Sequence, residues 1–256
     1  MSGAERRRSD RVFADLLRAL VDEPDPNGAP VARLDPGRAA RKGVPEVIYA
    51  PGKTAGQVVD IVGRMLAAAG SVVVSRVEPP LVTDLRAAFP DATVDHRDGT
   101  WSAVVRVPGH RPRPTGGRVA VITAGTSDLP AAEEVRVVAE EMGCEVELLA
   151  DMGVAGLHRL FGPLRRVLDD GVHAIVVVAG MDGALPSVVA GLVPVPVIGL
   201  PTSVGYGFGG GGQAALMSML QSCAPGLTVV NIDNAVGAGA SAAMIANAIS
   251  RGPGVD

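Results

Sequence analysis

The stretch RVAVITAGTSDLPAAEEVRVVAEEMGCEVELLADMG, residues 118–153, decides the architecture. RVAVIT has the length and β-branched content of a buried strand, TAGTSD supplies turn formers, a helical pattern follows over 129–142, and EVELLA at 145–150 is a second strand. The alternation continues with a helix over 156–169, strand AIVVVAG at 174–180 and a helix over 184–191. Strand VPVIGL at 195–200, a helix over 213–222, strand LTVVNI at 227–232 and a helix over 239–250 complete it. Consecutive strand–helix units predict a parallel sheet covered by helices on both faces, with ligands at the carboxyl ends of the strands.

Upstream, Pro108–Gly117 (PGHRPRPTGG) has no apolar pattern and reads as a linker between residues 1–110 and 118–256. Before it, EVIYA at 46–50, a helix over 54–69, strand SVVVS at 71–75, a helix near 80–88 and strands at 92–95 and 101–107 make a small α/β domain. A helix over Ser9–Val21 precedes a turn-rich run at 23–45, and Arg6, Arg7 and Arg8 mark its solvated entry. The fold class is therefore α/β, a small amino-terminal unit followed by a three-layer flavodoxin- or Rossmann-like domain. At 256 residues the chain is long enough for both.

Of the 50 charged residues, only Asp182, Asp233, Arg251 and Asp256 lie after Asp170, and residues 183–232 carry none. Prolines and glycines interrupt every apolar stretch there before it reaches the roughly 20 residues of a membrane span. That segment is expected to be buried, partly by its own domain and partly by neighbouring copies. A net charge of −4 argues against nucleic acid as a partner, and two cysteines make no disulfide framework. With no secretory pattern at the start, the expected location is the cytoplasm.

Several short motifs carry chemistry, each beside a plainer reading. GAGASA at 237–242 formally matches a dinucleotide fingerprint, but the partner carboxylate would fall beyond the last residue, so a glycine-rich helix entry is the simpler account. Ser127 and Asp128 stand where a helix start can hold a phosphate or be capped. Asp151 follows the next strand, with His158 and Arg159 behind it, as surface residues or as site residues. Asp182 and Asp233, the only acids between 171 and 250, follow apolar strands, where a carboxylate needs a partner or a proton. Cys223 falls near the carboxyl end of a helix, whose partial negative charge does not favour a thiolate.

Together, TAGTSDLP, the His158–Arg159 pair, AGMDGALPSVVAGLVPVPVIGLP (179–201) and MSMLQSCAPGLTVVNID (217–233) resemble the PurE fold of carboxyaminoimidazole ribonucleotide mutases. Gly183–Ala184 replace a histidine of that pattern, and Cys223 stands where PurE has methionine. The whole chain resembles the LarB family through LDPGRAARKGVPEVIYAPGKT (34–54), DMGVAGLHRL (151–160), PTSVGYG (201–207) and SCAPGLTVVNIDNAVGAG (222–239). Asp182 stands where that family is expected to have glutamate.

The LarB resemblance implies carboxylation of the pyridinium ring of nicotinic acid adenine dinucleotide at carbon 5 and hydrolysis of its phosphoanhydride, with Cys223 as nucleophile. Asp182 is the first candidate base, ahead of Asp151 and His158. Ser127, Asp128, Arg159, Thr202, Ser203, Gly205 and Asp233 are candidate substrate contacts, and Lys53 and Arg38 candidates for the adenylate side. Carbon dioxide or bicarbonate is the co-substrate, no tightly bound cofactor is expected, and magnesium is an optional aid with no ligands assigned. The resemblance implies a homo-oligomer, an octamer as in the PurE fold. A PurE-like mutase or nucleotide lyase, which would not need Cys223, and a non-catalytic nucleotide-binding module are the alternatives.

Overall fold

The computed structural model describes Ala32, Leu34, Asp35 and residues 37–252. The helix expected over 9–21 and the arginines before it lie outside these residues. Within the turn-rich run, a short helix α1 (Arg38–Lys42) leads to β1 (Val47–Tyr49). Helix α2 (Ala55–Ala69) starts where Thr54 and Gln57 exchange side-chain-to-backbone hydrogen bonds, a capping box that satisfies two helix-end donors. It ends at Gly70, whose φ of 77° is open to glycine at little cost. β2 (Ser71–Ser75), α3 (Pro79–Ala88), β3 (Thr93–His96) and β4 (Ser102–Arg106) follow. The sheet order is β1-β2-β4-β3, with β1 parallel to β2 and the other pairs antiparallel.

The second sheet contains β5 (Arg118–Thr123), β6 (Glu145–Leu149), β7 (Ala174–Ala179), β8 (Val197–Pro201) and β9 (Leu227–Val229). Its order, β6-β5-β7-β8-β9, is parallel throughout. The chain runs outward from β5 to β6 and then returns to β7 on the other side of β5. That reversal opens a crevice at the carboxyl ends of β5 and β7. Helices α4 (Leu129–Glu141) and α8 (Ala235–Ser250) cover one face with Val135, Val138, Ala238 and Ala242. α5 (His158–Asp169), α6 (Leu185–Ala190) and α7 (Gln213–Leu220) cover the other through Leu160, Leu164, Val189 and Met219. With helices on both faces, the central strand β7 is buried at every residue, which is why AIVVVA needs no polar alternation.

Two expectations are corrected. Helix α8 begins at Ala235, where the Asn234 side chain accepts from the Gly237 N–H, so GAGASA lies inside the helix and not in a phosphate-binding turn. α7 ends at Leu220, which leaves Cys223 in the loop before β9 and off any helix end. Within the charge-free segment Val197 and Leu200 are enclosed by their own domain, whereas Leu192, Tyr206, Phe208, Met217 and Leu220 are exposed on the single chain.

The two domains meet along α4. Glu141, on its last turn, accepts from the Arg106 guanidinium at 3.0 Å and from the Ser71 hydroxyl at 3.2 Å. Glu133 pairs with Arg97 at 2.9 Å. On its other side α4 packs on α8, and a Cβ added to Gly239 would lie 2.7 Å from the Val135 carbonyl oxygen. A backbone atom cannot swing aside, so Gly239→Val is expected to destabilise the fold by about 1–3 kcal/mol. Urea denaturation checks this, and an unchanged midpoint would show that the contact yields without cost.

Candidate functional site

Loops at the carboxyl edge of the second sheet are tied to one another by short polar bonds. After β5, a single 3-10 turn (Thr126–Asp128) places Asp128 at the base of α4. Its carboxylate accepts from the Gly125 N–H at 3.0 Å and from the Thr202 hydroxyl at 2.7 Å. This second bond reaches across the end of β7, because β5 and β8 flank that strand. Gly180 sits beneath it; a Cβ there would come within 2.1 Å of the Val204 carbonyl oxygen and 2.8 Å of Thr202 Oγ1. The Met181 N–H donates to Val204 O at 3.0 Å, and Ser203 N–H donates to Asp233 Oδ1 at 2.9 Å. On the far side, Asp151 N–H donates to Thr123 Oγ1 at 3.1 Å, and the Arg159 guanidinium meets the Asp151 carboxylate at 2.5 Å.

Backbone strain is concentrated at the same edge. Among the described residues four non-glycines have positive φ: Arg76 at 58°, Asp151 at 61°, Met181 at 45° and Asp233 at 58°. Each follows a strand end, and the last three surround the crevice. Such conformations cost of the order of 1–3 kcal/mol and persist where the surroundings over-determine them, which is common at binding sites.

The arrangement sorts the sequence candidates. Ser127, Asp151, His158, Asp182, Ser203 and Gly205 present to solvent around the edge, and Arg159 lies half-buried beside Asp151. On the single chain Asp182 is an exposed carboxylate, and its side chain accepts from the Ala184 N–H at 3.5 Å. Asp128 and Thr202 were candidates for substrate contact, but both are buried and bonded to each other, which makes them positioning residues. In the first domain, Lys53 donates to the Tyr49 carbonyl at 2.7 Å, and Arg38 lies 3.4 Å from Glu46. They line separate cavities that have Arg76 in common.

Cys223 is exposed, and no hydrogen bond or ion pair among the described residues joins it to Asp182, Asp151, His158 or Asp233. Its loop is held by Ser222, whose hydroxyl meets that of Ser187 on α6 at 2.8 Å and accepts from the Ala224 N–H at 3.2 Å. The other cysteine, Cys144, is buried beside Asn247, and burial pushes its thiol up to about 11. Of the two thiols, only that of Cys223 is exposed. Among the described residues no cluster of three or more His, Cys, Asp or Glu side chains could hold a metal ion. None of their helices is long and apolar enough to cross a membrane.

The sequence reading missed Glu134 and Arg76. Glu134 on α4 is 1% exposed, and its Oε1 has no hydrogen-bond partner. Arg76 stacks on Trp101, 3.4 Å from the ring centre, and donates to the Asp233 carbonyl at 2.8 Å.

Residues 27–103 match the family model described as LarB/PurE-like N-terminal domain, and residues 118–251 match that of AIR carboxylase. The chain belongs to the LarB family. Its second domain is PurE-like. An uncharacterised protein of Methanocaldococcus jannaschii is 39% identical over 217 residues, covering 84% of this chain and 83% of that one. The N5-carboxyaminoimidazole ribonucleotide mutase of Thermotoga maritima is 31% identical over 131 residues, 50% of this chain and 74% of the mutase. That of Pyrococcus horikoshii is 31% identical over 83 residues, 32% and 47% of the two chains. These similarities support a carboxylase-type role of the LarB/PurE kind for this LarB-family chain.

Burial raises the Asp128 carboxyl above its ordinary value, against the opposing hydrogen bonds from Thr202, Gly125 and Gly180. The native state therefore holds that proton to higher pH than the unfolded chain, and ionisation costs stability as pH rises from the ordinary carboxylate range through the raised value. Asp128→Asn carries no such penalty. Its stability relative to the parent is expected to improve as pH rises across that window, in denaturant titrations at a series of pH values. A constant difference between the two proteins would contradict this.

Proposed function

We propose that this protein carboxylates the pyridinium ring of nicotinic acid adenine dinucleotide at carbon 5 and hydrolyses the phosphoanhydride, releasing pyridinium-3,5-biscarboxylate mononucleotide and AMP. The observation that carries the reading is the exposed, unbonded Cys223 thiol where the PurE pattern has a methionine, in a chain that also has the LarB-type first domain.

A pyridinium ring is electron-poor and does not attack carbon dioxide. Addition of the Cys223 thiolate to a ring carbon next to carbon 5 moves an electron pair onto the ring nitrogen and makes carbon 5 an enamine carbon. That carbon forms the new bond to carbon dioxide and leaves an iminium. A base then takes the proton from carbon 5, the enamine re-forms, and expulsion of the thiolate restores the aromatic ring. Sulfur suits both steps, being a soft nucleophile and a good leaving group. The cationic ring itself stabilises the thiolate when it binds. Asp182 is the base we favour, with Asp151 and His158 next; Ser127, Ser203 and Arg159 contact phosphate oxygens. Water cleaves the phosphorus–oxygen bond of the anhydride, and AMP leaves.

Topology bears on where these groups meet. Asp182, Asp151 and Ser127 stand on loops that leave strands, whereas Cys223 stands on the loop that enters β9. In a parallel sheet these loop sets belong to opposite edges. Met217 and Leu220 are exposed just before Cys223, as a face covered by another copy requires. The thiol is thus supplied by a neighbouring subunit in a homo-oligomer, an octamer in this reading.

With nicotinic acid adenine dinucleotide and 13C-bicarbonate, the expected product is a mononucleotide carrying one labelled carboxylate, with AMP in equal amount by mass spectrometry. Cys223→Ala should abolish labelling, and full turnover by that variant would sink the mechanism. Asp182→Asn is also expected to be inactive, and refolding it together with Cys223→Ala should restore part of the turnover. Mixed oligomers that form yet stay inactive would place thiol and base within one chain.

A further inference from the structure

A cavity of about 500 Å³ lies between the two domains, away from Cys223, and has the size of a small-molecule site. Its wall includes Arg38 and Tyr49 from the first domain, Arg76 and Ser75 at the end of β2, and Glu134 and Asp233 from the second. Three features specify its occupant. Glu134 is buried, which raises its carboxyl against the Ser75 hydroxyl, the Arg76 guanidinium and the Arg76 N–H that hold it, and its Oε1 is left as an acceptor without a donor. The Tyr49 ring is more than half exposed, which offers a flat apolar surface to an aromatic ligand. Arg38, 3.4 Å from Glu46, and Arg76, stacked on Trp101 and bonded to the Asp233 carbonyl, bring guanidiniums to a wall that also carries the carboxylates of Glu134 and Asp233, and their remaining N–H donors suit a phosphate.

We infer that this cavity holds an aminopurine nucleoside monophosphate, with the base against Tyr49, its exocyclic amino group donating to Glu134, and the phosphate toward Arg38 and Arg76. Asp233 connects the cavity to the carboxyl edge. It lines the cavity, its carbonyl accepts from Arg76, and its carboxylate holds the Ser203 N–H. A ligand extending past Asp233 enters the crevice where the exposed carboxylates stand. Identification of the base as the adenine of the dinucleotide rests on the function proposed above; the donor, ring and phosphate requirements rest on the cavity alone. Lys53, bonded to the Tyr49 carbonyl, then acts on the position of Tyr49 and not on phosphate.

Calorimetric titration of the full chain with AMP, IMP and nicotinic acid mononucleotide tests the assignment. AMP should bind at least about tenfold more tightly than IMP, which has oxygen in place of the amino group. Glu134→Gln and Arg38→Ala should each weaken AMP by about tenfold or more and leave the nicotinate mononucleotide unchanged. Arg38 is on the surface, so its variant decides the matter if Glu134→Gln fails to fold. Absence of AMP binding, equal affinity for IMP, or AMP affinity indifferent to Arg38→Ala overturns the inference. AMP bound as described by a protein that fixes no label removes the proposed reaction and leaves the cavity assignment standing. Carboxylation with AMP indifferent to Arg38→Ala does the reverse.

Discussion

The hydrogen bond from Thr202 to Asp128 is the constraint around which the rest of the site is arranged. It joins the loops after β5 and β8 over the end of the strand between them, and it fits only because Gly180 has no side chain. A buried carboxylate is costly, and this one is retained with burial working against its charge. What it secures is geometric. With those loops fixed, Val204 can hold Met181 and Ser203 can hold Asp233, so the chain from Asp151 round to Asp233 is set by a few bonds between backbone and side chain. Catalytic groups on loops need such support, because a loop alone does not hold a side chain to the tolerance that chemistry demands.

The first domain extends that support. α4 leaves Asp128, packs on α8 through Gly239, and presents Glu133 and Glu141 to arginines of the first domain. Glu134 lies on the same helix with its neighbours on the apolar side. A helix committed to both cores ties the orientation of the first domain to the geometry of the crevice. The Arg76–Asp233 bond closes the connection from the opposite side, on a residue that also holds the edge loop. This gives the added domain a physical reason to be present: it makes the second wall of a cavity that the PurE-like domain could not enclose by itself.

The sheet was legible because its central strands β5, β7 and β8 are buried and read as largely apolar runs; AIVVVA can hardly be anything else. The boundaries of α7 and α8 were less so. Ser222 and Asn234 set them by hydrogen bonds that a periodicity cannot reveal. Apolar neighbours in sequence do not reveal that Asp182 is exposed on the single chain, just after Met181 with its φ of 45°. Glu134 did leave a signal. It lies three residues after Ala131 and four before Val138, both buried, so the helical spacing puts it on the inward face. A charged residue at such a position is a stronger sign of a ligand or a strained partner than an acid at a strand end, which is often solvated.

Absence of charge from 183 to 232 combines two physical demands. β8 and the inner faces of α6 and α7 need apolar residues because they fill the core. The exposed Tyr206, Phe208, Met217 and Leu220 do not fill it, yet they obey the same restriction. A monomer has no use for an uncharged exterior of that size, since surface charges cost little and maintain solubility. An interface does have a use for it, because a charge buried there without a partner is expensive. In the reaction proposed above, the same exclusion suits a thiol that meets a cationic ring in a site dry enough to favour carbon dioxide over the strongly hydrated bicarbonate. Under the function proposed above, the apolar exterior and the position of Cys223 on a strand-entry loop share one explanation, a site assembled from the thiol of one copy and the carboxylates of another.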